Sequence, residues 1–525
     1  MPLSFPSGYT PSLLPAIASS VRFGVGTSPA SSDYKPVFLG NKTSAGLATV
    51  AGPSTVAVPV EVSGPEDADT QFGARSELAK MLRAWFAIAP RGRVWACAVA
   101  ENGSGVAATA TLAFATTATA NGVVRIRING RRLPEVVITS GDTASTVASA
   151  VKAMLDLYTD LPCTAGVLTA TVTLTAAQVG PRGNNLRIVC EIVPSGTSAV
   201  AMTVALNGGS AATKVDGRFG TDSATAGSGA DDFTAAIAAV NTGDYDFVVG
   251  ACSDDTNRGL ISTHVTSASA ISEGRRRVGI CGSLTSTLSG SGSVAEDAQG
   301  HNNVLMRVIH LKGAHNTTGE LAAAYCAAHI YGDGVRKGIA QYTAANQDGL
   351  QLAPAIWAPE VTDYTTNTQR AALLAAGVTP CVASFANPGY AQIVRPVTTR
   401  TQALSGATSY LVIDPSKVTV SFEVADRWET FCAENYAGKN LAPDPSDPDN
   451  TPSNEDVIWP AAMREDVLAL LRTMEDEGKL VNVNDHADDV VVEASESDNT
   501  VALVVIPVAV IPHLHSIINT VNQVG

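Results

Sequence analysis

Two glycine-containing segments have residue types that bind phosphate in other proteins. A dinucleotide loop needs Gly-x-Gly-x-x-Gly between a strand and a helix, so that backbone amides can approach a pyrophosphate. In this chain Gly24-Val25-Gly26 is followed by Pro29 in place of the third Gly. The segment Gly40-Asn41-Lys42-Thr43 follows an apolar run, but it lacks the earlier Gly of a phosphate loop and its Lys is not next to a Gly. Neither segment predicts a nucleotide site.

Groups that could act in hydrolysis or bind a metal are scattered along the chain. The sequence has no Gly-x-Ser-x-Gly, the motif that places a nucleophilic Ser on a strand–helix turn. It has no Cys-x-x-Cys, and several of its eight cysteines stand in apolar runs that favour free, buried thiols. We therefore predict no catalytic, cofactor or metal site. The histidines fit structural or solvent-facing roles; they are His264, His301, His310, His315, His329, His486, His513 and His515.

Composition excludes further classes of function. The 34 Lys and Arg residues against 49 Asp and Glu residues give a net charge of −15, whereas nucleic-acid binders normally carry a basic patch. The basic clusters Arg131-Arg132 and Arg275–Arg277 lack interleaved aromatic residues and indicate turns or salt-bridging edges. Only 16% of residues are charged, against about 25% in average proteins, which suits a surface covered by other protein.

Targeting signals are not apparent in the sequence. The first residues lack a basic region followed by an unbroken apolar run, so we expect no signal peptide. The longest apolar run, Val501–Pro512, is interrupted by Pro507 and is too short to span a bilayer. Together with the unpaired cysteines, these features predict a protein that is made and kept in a reducing, cytosol-like compartment.

Strand and helix patterns alternate in two stretches of the chain. The first stretch has a strand at 36–40, a helix at 73–89 and a strand at 93–99. The second has strands at 246–250, 278–282 and 304–310 and helices at 256–272 and 318–331. This alternation predicts a doubly wound α/β layer.

The stretch between these two halves is rich in Thr, Val and Ala in alternation. Strand patterns lie at 123–128, 136–138 and 167–174, and a helix pattern lies at 143–157. Asn129-Gly130 is a strong signal for a hairpin turn. Glycine-rich seams at 101–105 and 217–229 bound this stretch, so we predict a β-rich inserted domain.

The remainder of the chain combines helices and strands. We predict helices at 369–376 and 460–477 and strands at 379–383 and 391–394. The acidic stretch 443–456 is predicted to be a solvated loop, with a calcium site as the weaker alternative.

The predicted fold class is therefore α/β plus α+β, with several domains. It comprises a doubly wound α/β core, a β-rich inserted domain and extended N- and C-terminal arms. The predicted boundaries are 1–33 for the N-terminal extended arm, 34–104 and 217–349 for the two parts of the core, 105–216 for the inserted outer domain, 350–499 for a C-terminal α+β domain, and 500–525 for a C-terminal strand and arm.

A series of motifs in fixed order runs through the chain: Tyr34–Gly40, Phe72–Ala84, Arg93–Ala96, Tyr245–Val249, Leu373–Thr379, Ile393–Thr399 and Leu470–Val483. In this order they resemble the contractile tail sheath proteins of tailed bacteriophages, in the Mu-like branch. The resemblance covers both ends and most of the middle, and residues 105–216 are its least constrained part. The sequence departs from the family pattern at Asn435–Asn440, which is less basic, and in the enlarged acidic loop.

This resemblance implies a structural, non-enzymatic protein of the virion tail that is assembled in the host bacterial cytoplasm. Many copies would stack as rings in a helical tube around the tail tube protein, with baseplate and tail terminator proteins as further partners. No nucleic acid and no direct membrane insertion are implied. Contraction of the sheath would drive the tube through the host cell envelope for genome delivery.

The terminal segments are the predicted links between subunits, because extended arms can add a strand to the sheet edge of a neighbour. Alternate residues of the apolar run that begins at Val501 fit a strand buried on both faces; the alternative is an ordinary strand of its own domain. The residues proposed for the arms are Phe5, Pro6, Leu503, Val505, Leu514 and Ile517. The inserted domain is expected to project outward, since a bulky insertion facing the tube would block sliding.

Three other functions remain open from the sequence. The sheath of a phage-tail-like bacteriocin or injection machine shares the same mechanism. A nucleotide-binding α/β enzyme is less favoured, because no phosphate loop is visible. A secreted adhesin or carbohydrate-binding module would suit the Thr-rich insert, but the unpaired cysteines and the lack of a signal peptide oppose it.

Overall fold

Strands are distributed along the whole described chain. The computed structural model describes residues 34–51, 58–252, 254–270, 273–332, 346–403, 405–409, 413–444, 456–496, 498 and 500–512. In chain order the strands are β1 (Pro36–Asn41), β2 (Val50–Ala51), β3 (Val60–Val62), β4 (Val94–Val99), β5 (Ala107–Ala115), β6 (Gly122–Ile128), β7 (Arg131–Arg132), β8 (Val136–Ile138), β9 (Cys163–Leu168), β10 (Thr171–Val179), β11 (Arg187–Pro194), β12 (Thr203–Leu206), β13 (Lys214–Arg218), β14 (Phe247–Gly250), β15 (Val278–Ser283), β16 (Met306–His310), β17 (Val378–Ala383), β18 (Ala391–Ile393), β19 (Asn440–Leu441), β20 (Val457–Ile458), β21 (Val491–Ala494) and β22 (Ala502–Val505).

Helices alternate with the strands of the first and middle parts and dominate the last part. They are α1 (Pro65–Phe72), α2 (Glu77–Ile88), α3 (Ala144–Asp156), α4 (Thr234–Val240), α5 (Asp255–Ala268), α6 (Val294–His301), α7 (Thr318–Tyr331), α8 (Asn367–Ala375), α9 (Pro415–Asn435) and α10 (Pro460–Asp476). The chain is thus a mixed α/β protein with several sheets, as predicted.

The largest sheet has nine strands in the order β18-β17-β16-β15-β14-β1-β4-β2, and β3 pairs with β4. Its strands are parallel except β18 and β3, which are antiparallel to their neighbours. The chain moves from β1 to β4 on one side and later to β14 on the other side. The order of strands therefore reverses between β1 and β14, which is the topological switch point of a doubly wound sheet.

Helices cover both faces of this sheet. In β15 a side chain at Gly279 would meet Ile261 and Val265 of α5, whereas one at Gly282 would overlap the carbonyl of Thr318 in α7. Residues an odd number of positions apart in a strand point to opposite faces, so α5 and α7 lie on opposite faces. Every residue of β1, β14, β15 and β16 is buried, as expected for parallel strands covered on both sides.

The inserted segment forms a two-sheet structure with its own hydrophobic cluster, which extends from Ala108 to Phe219. One sheet has the order β12-β5-β10-β9, and the other has the order β13-β11-β6-β7 with β8 on β6. The predicted turn at Asn129-Gly130 is confirmed: both residues have positive φ, 49° and 78°, between β6 and β7. The bridge between Val106 and Ser228 brings the entry and the exit of the insert side by side.

One strand prediction within the insert is wrong. The pattern at 167–174 was expected to be a single strand, but the chain reverses at Thr169 and the residues belong to the hairpin β9–β10. Thr169 has φ 54°, in the left-handed region. Because Thr lacks the turn preference of Gly, Asn or Asp, the sequence carries no signal for this reversal.

The last part of the chain differs most from expectation. Strands β17 and β18 lie within the predicted 350–499 domain, yet they extend the central sheet, so the boundary at residue 350 divides one sheet. Helix α9 was not predicted, because Val418, Val420 and Phe422 alternate as in a strand. Helices α9 and α10 and the hairpin β21–β22 share a third hydrophobic cluster. The other domain boundaries stay predictions.

Candidate functional site

In doubly wound sheets, ligands bind beyond the carboxyl ends of the strands at the switch point. In this chain the insert reaches into the region beyond β1. The side-chain oxygen of Gln178, in β10, accepts a hydrogen bond from the Glu77 amide at 2.6 Å. Its Nε2 donates to the Lys42 carbonyl at 3.3 Å. Gln178 therefore ties the insert both to the start of α2 and to the residue that follows β1.

A buried arginine lies at the same carboxyl-terminal end of the sheet. Arg182, in a 3₁₀ turn over Pro181–Asn185, forms an ion pair with Asp231, and their side chains are 9% and 6% exposed. Glu77, Glu101 and Asp254 add further negative charge around this guanidinium. Burial raises the pKa of the Glu101 carboxyl, and the charge of Arg182 opposes that rise. The insert thus contributes the cation, and the core contributes the surrounding carboxylates.

The helix N-termini near this edge are capped by side chains. Ser76 Oγ accepts from the Ala79 amide at 3.0 Å at the start of α2, and an Asp254 carboxylate oxygen accepts from the Asn257 amide at 2.9 Å at the start of α5. A capping box of Thr317 and Glu320 begins α7. Amide groups that bind phosphate in nucleotide proteins are here engaged by the chain itself.

The Gly40–Thr43 segment also has a structural role. Lys42 Nζ donates to the Gly46 carbonyl at 2.8 Å, and the Thr43 amide donates to the Phe72 carbonyl at 3.0 Å. A Cβ at Gly40 would lie 3.2 Å from the sulfur of Met81, so β1 packs closely on α2 here. The segment closes the loop against the end of α1, and its lysine is already hydrogen-bonded.

A second arginine joins the insert to the core. Arg187 donates to both carboxylate oxygens of Asp216 at 2.9 Å, to Asp363 at 3.1 Å and to the carbonyl of Gly313 at 3.2 Å. Asp216 belongs to β13 of the insert, whereas Gly313 lies between β16 and α7 and Asp363 ends a 3₁₀ helix at Val361–Asp363. Hydrogen bonds to Asp216 raise the pKa of the Arg187 guanidinium above its usual value. The sequence gives no sign of either arginine anchor, since their partners are remote along the chain.

Ion pairs also attach helix α9 to the residues that precede β15 of the central sheet. Arg276, in the predicted basic cluster, pairs with Asp426 and Glu429 of α9, so its salt-bridging role is confirmed. Within the C-terminal part, Glu423 of α9 contacts Arg427 and Lys479. Burial raises the pKa of Glu423 to about 7.

Three of the histidines are buried and contact neighbouring polar groups. His310 is buried, its Nε2 contacts the Thr285 carbonyl at 2.9 Å, and burial lowers its pKa to about 4. His264 contacts Arg277 at 2.8 Å and His329 contacts Arg307 at 2.7 Å. The eight cysteines are free and buried, as predicted.

The described ranges contain neither a cluster of metal-ligating side chains nor a helix that could cross a membrane. No three His, Cys, Asp or Glu side chains there are grouped so that they could hold a metal ion. Among the helices of those same ranges, none is long and apolar enough to cross a membrane. The acidic loop at 443–456 lies largely outside the described residues.

The proposed linking arms are described only in part. Leu503 and Val505 lie in β22, which pairs antiparallel with β21 of the same chain. Leu503 is 9% exposed and Val505, on the same face, is 43% exposed, while Ala502 and Val504 on the other face are half-buried. The run is therefore not fully buried on either face within one chain. The other arm residues, Phe5, Pro6, Leu514 and Ile517, lie outside the described residues. Their role between subunits stays a prediction.

Comparison with known proteins finds sequence similarity to a curated protein and similarity of fold to solved structures. No protein-family model matches the sequence. A stretch of 176 residues, 33% of this chain, is 30% identical to the Mu-like prophage FluMu tail sheath protein of Haemophilus influenzae. It covers 35% of that protein, so the match spans about a third of the curated relative. The sequence resemblance to a Mu-like tail sheath protein is confirmed over this stretch. The sheath tail proteins of Desulfitobacterium hafniense and Listeria innocua superpose on 90% of this chain with TM-scores of 0.44 and 0.43; identities are 12% and 10%, over 93% and 90% of those chains.

Proposed function

We propose that this chain is a structural subunit of a contractile tail sheath of the Mu-like type, with no enzymatic role. The observation that carries the proposal is the 30% identity to a Mu-like prophage tail sheath protein over 176 residues. The ordered motifs between Tyr34 and Val483 support the same assignment. Copies of the chain polymerise helically around an inner tail tube, and contraction of the polymer drives that tube through the host cell envelope.

The arrangement of the described residues suits a mechanical part. A sheath that changes shape needs subunits that keep their own fold while the contacts between them change. Gln178, Arg182 and Arg187 join the insert to the core, and Arg276 joins α9 to the core. These links make the body of the subunit a unit that can move as a whole. The terminal segments then hold neighbouring subunits together.

Electron microscopy of the purified full chain tests the proposal. In negative stain we expect hollow, striated tubes, because sheath contacts are heterologous and repeat without closing. A chain that remains monomeric at every concentration tested would contradict the proposal. Deletion of residues 515–525 is expected to leave a folded monomer that forms no tubes. Tubes of ordinary appearance from that deletion would contradict the role of the C-terminal arm.

The orientation of the insert can be tested on assembled tubes. We propose that the insert faces outward, which places its adjacent seams, Gly103–Gly105 and Gly217–Gly229, within reach of a protease. Limited proteolysis is expected to cut the seams before the central sheet. Cleavage of the core with both seams intact would contradict this orientation.

A further inference from the structure

Strand β9 of the insert forms an open edge of its sheet. It stands last in the order β12-β5-β10-β9 and pairs with β10 on one side only. Four of its last five residues are exposed, and among them Val167 is 37% and Leu168 is 79% exposed. Among the described residues, no strand pairs with the outer side of β9. The sheet therefore has room for another strand beside β9.

The register of the β9–β10 hairpin shows which backbone groups point outward. The Ala177 amide donates to the Pro162 carbonyl at 2.8 Å, and hydrogen-bonded pairs alternate with other pairs along an antiparallel ladder. In the observed register Ala165 and Val167 lie in the pairs that are not hydrogen-bonded, so their amides and carbonyls point away from β10. Within the described chain, no residue outside the hairpin bonds to these groups. The edge thus presents two donors and two acceptors in a row.

Strand β9 also lacks the features that normally keep an edge strand single. Charged side chains, proline or a bulge usually block such pairing. Elsewhere in the insert, the strand β13 carries Lys214 and Asp216, and β7 consists of Arg131 and Arg132. No residue from Leu161 to Pro181 is charged, β9 contains no proline, and its register with β10 has no shift. The edge is open to pairing.

A second copy of β9 fits this edge because the arrangement is self-complementary. About a two-fold axis at Gly166, Ala165 of each copy lies opposite Val167 of the other, and all the outward groups are paired. Cys163, the preceding residue with an outward backbone, is buried, which leaves Gly166 as the centre of pairing. A two-fold axis brings each group close to its own copy, where like charges would repel, and the uncharged edge avoids this repulsion. A sheath polymer also supplies many copies at high local concentration.

We propose that β9 of one copy pairs antiparallel with β9 of a second copy about Gly166, which joins two four-stranded sheets into one. Contacts within a helical tube are heterologous, so a two-fold contact of this kind links copies that belong to different tubes. The linkage of tubes goes beyond the proposed function and rests on its outward-facing insert. The pairing of two inserts does not itself depend on tube formation.

Cysteine substitutions in the full chain test the pairing and its centre. Across the proposed axis, the two Gly166 residues form a pair that is not hydrogen-bonded, with Cα atoms about 4.5 Å apart, which suits a disulfide. A Cβ at Gly166 would lie 3.9 Å from the Thr173 carbonyl oxygen, an ordinary contact, so Gly166→Cys fits the fold. With oxidised glutathione we expect Gly166→Cys to give a covalent dimer on a non-reducing gel. Leu168→Cys is the matched control, because its two thiols would lie roughly 13 Å apart and are expected to stay unlinked. The unaltered chain, whose eight cysteines are buried, supplies the background.

A proline at the edge tests the link between tubes. The Ala165 amide does not bond to β10, so Ala165→Pro removes an outward donor and leaves the hairpin bonds in place. Ala165→Ser keeps the amide and is the matched control. In negative stain we expect tubes of the unaltered chain and of Ala165→Ser to associate side by side, and tubes of Ala165→Pro to stay single.

The outcomes separate this contact from the sheath function. The absence of a Gly166→Cys dimer, equal dimers from Leu168→Cys, or a mixed disulfide of Gly166→Cys with another protein overturns the pairing of β9 with itself. Side-by-side tubes of Ala165→Pro, or single tubes of the unaltered chain, overturn the link between tubes. Tubes that form without the dimer leave the sheath function standing. A Gly166→Cys dimer from a chain that forms no tubes overturns the sheath function and leaves the pairing.

Discussion

Replacing Arg182 with methionine tests whether the insert is locked to the core by charge. The substitution keeps the length and apolar stem of the side chain but removes the cation that lies among Asp231, Glu77 and Glu101. Removing one partner of a buried ion pair leaves an uncompensated buried charge and costs about 3–5 kcal/mol. At 1.4 kcal/mol per factor of ten, opening of this contact becomes about 150- to 4,000-fold more frequent.

Hydrogen exchange read by mass spectrometry measures this opening. The amides of Gly180 and Leu186 donate to carbonyls at 3.1 Å on either side of Arg182, and their protection is expected to fall by that factor. Arg125→Met is the matched control within the insert. The Arg125–Glu135 pair is 39% and 34% exposed, and a surface pair of this kind contributes about 0–1 kcal/mol.

The loss of hydrogen-exchange protection in Arg182→Met is expected to grow as the pH rises. Burial already raises the pKa of Glu101, and the charge of Arg182 holds that rise back. Without Arg182 the Glu101 carboxyl binds a proton more readily in the folded chain than in the unfolded chain. The defect is therefore largest at pH 8 and shrinks toward pH 5. A loss below tenfold, a loss equal to that of Arg125→Met, or a loss independent of pH would refute the buried-cation argument.

Three further predictions concern the central sheet and the C-terminal strand. Gly282→Ala is expected to lower the free energy of unfolding, measured in urea, by about 1–3 kcal/mol, because its methyl group overlaps the Thr318 carbonyl. Gly300→Ala is the control: with open space around it, the substitution should raise that free energy by about 0.5–1 kcal/mol. Equal effects would contradict the packing. Burial raises the pKa of Asp246 to about 6, so between pH 4 and 6 its carboxyl holds a proton in the folded chain that it releases in the unfolded chain. The free energy of unfolding therefore falls as the pH rises from 4 to 6, and Asp246→Asn should remove on the order of 3 kcal/mol of that fall. An unchanged pH dependence in Asp246→Asn would refute this argument. Leu503→Ala should lower the monomer's free energy of unfolding by about 2 kcal/mol or more, because Leu503 is buried. Val505→Ala, at a half-exposed position, should change that free energy by less than about 0.5 kcal/mol but weaken tube assembly. Normal tube assembly by Val505→Ala would count against the linking role of β22.

Local sequence patterns were sufficient to predict many helices and strands and to show the resemblance to tail sheath proteins. Helices α2, α3 and α10 are predicted within a few residues, because each carries an apolar stripe at helical spacing. Helix α7 is also predicted, although it is buried on nearly every side and has no such stripe. The turn at Asn129-Gly130 is predicted because Asn and Gly readily adopt positive φ. Helix α9 was missed, since its β-branched alternation favours a strand; in the fold it shares a hydrophobic cluster with α10.

Tertiary structure alone decided how these elements meet. Gln178 contacts the Glu77 amide across 101 positions of sequence, and Arg187 contacts Asp363 across 176. Such contacts depend on where strands place side chains in space, and no short motif records that. The sequence by itself determined many of the helices and strands, the absence of a recognisable phosphate loop and the similarity to tail sheath proteins. The fold decided that the insert reaches to the switch point and that β17 and β18 extend the central sheet.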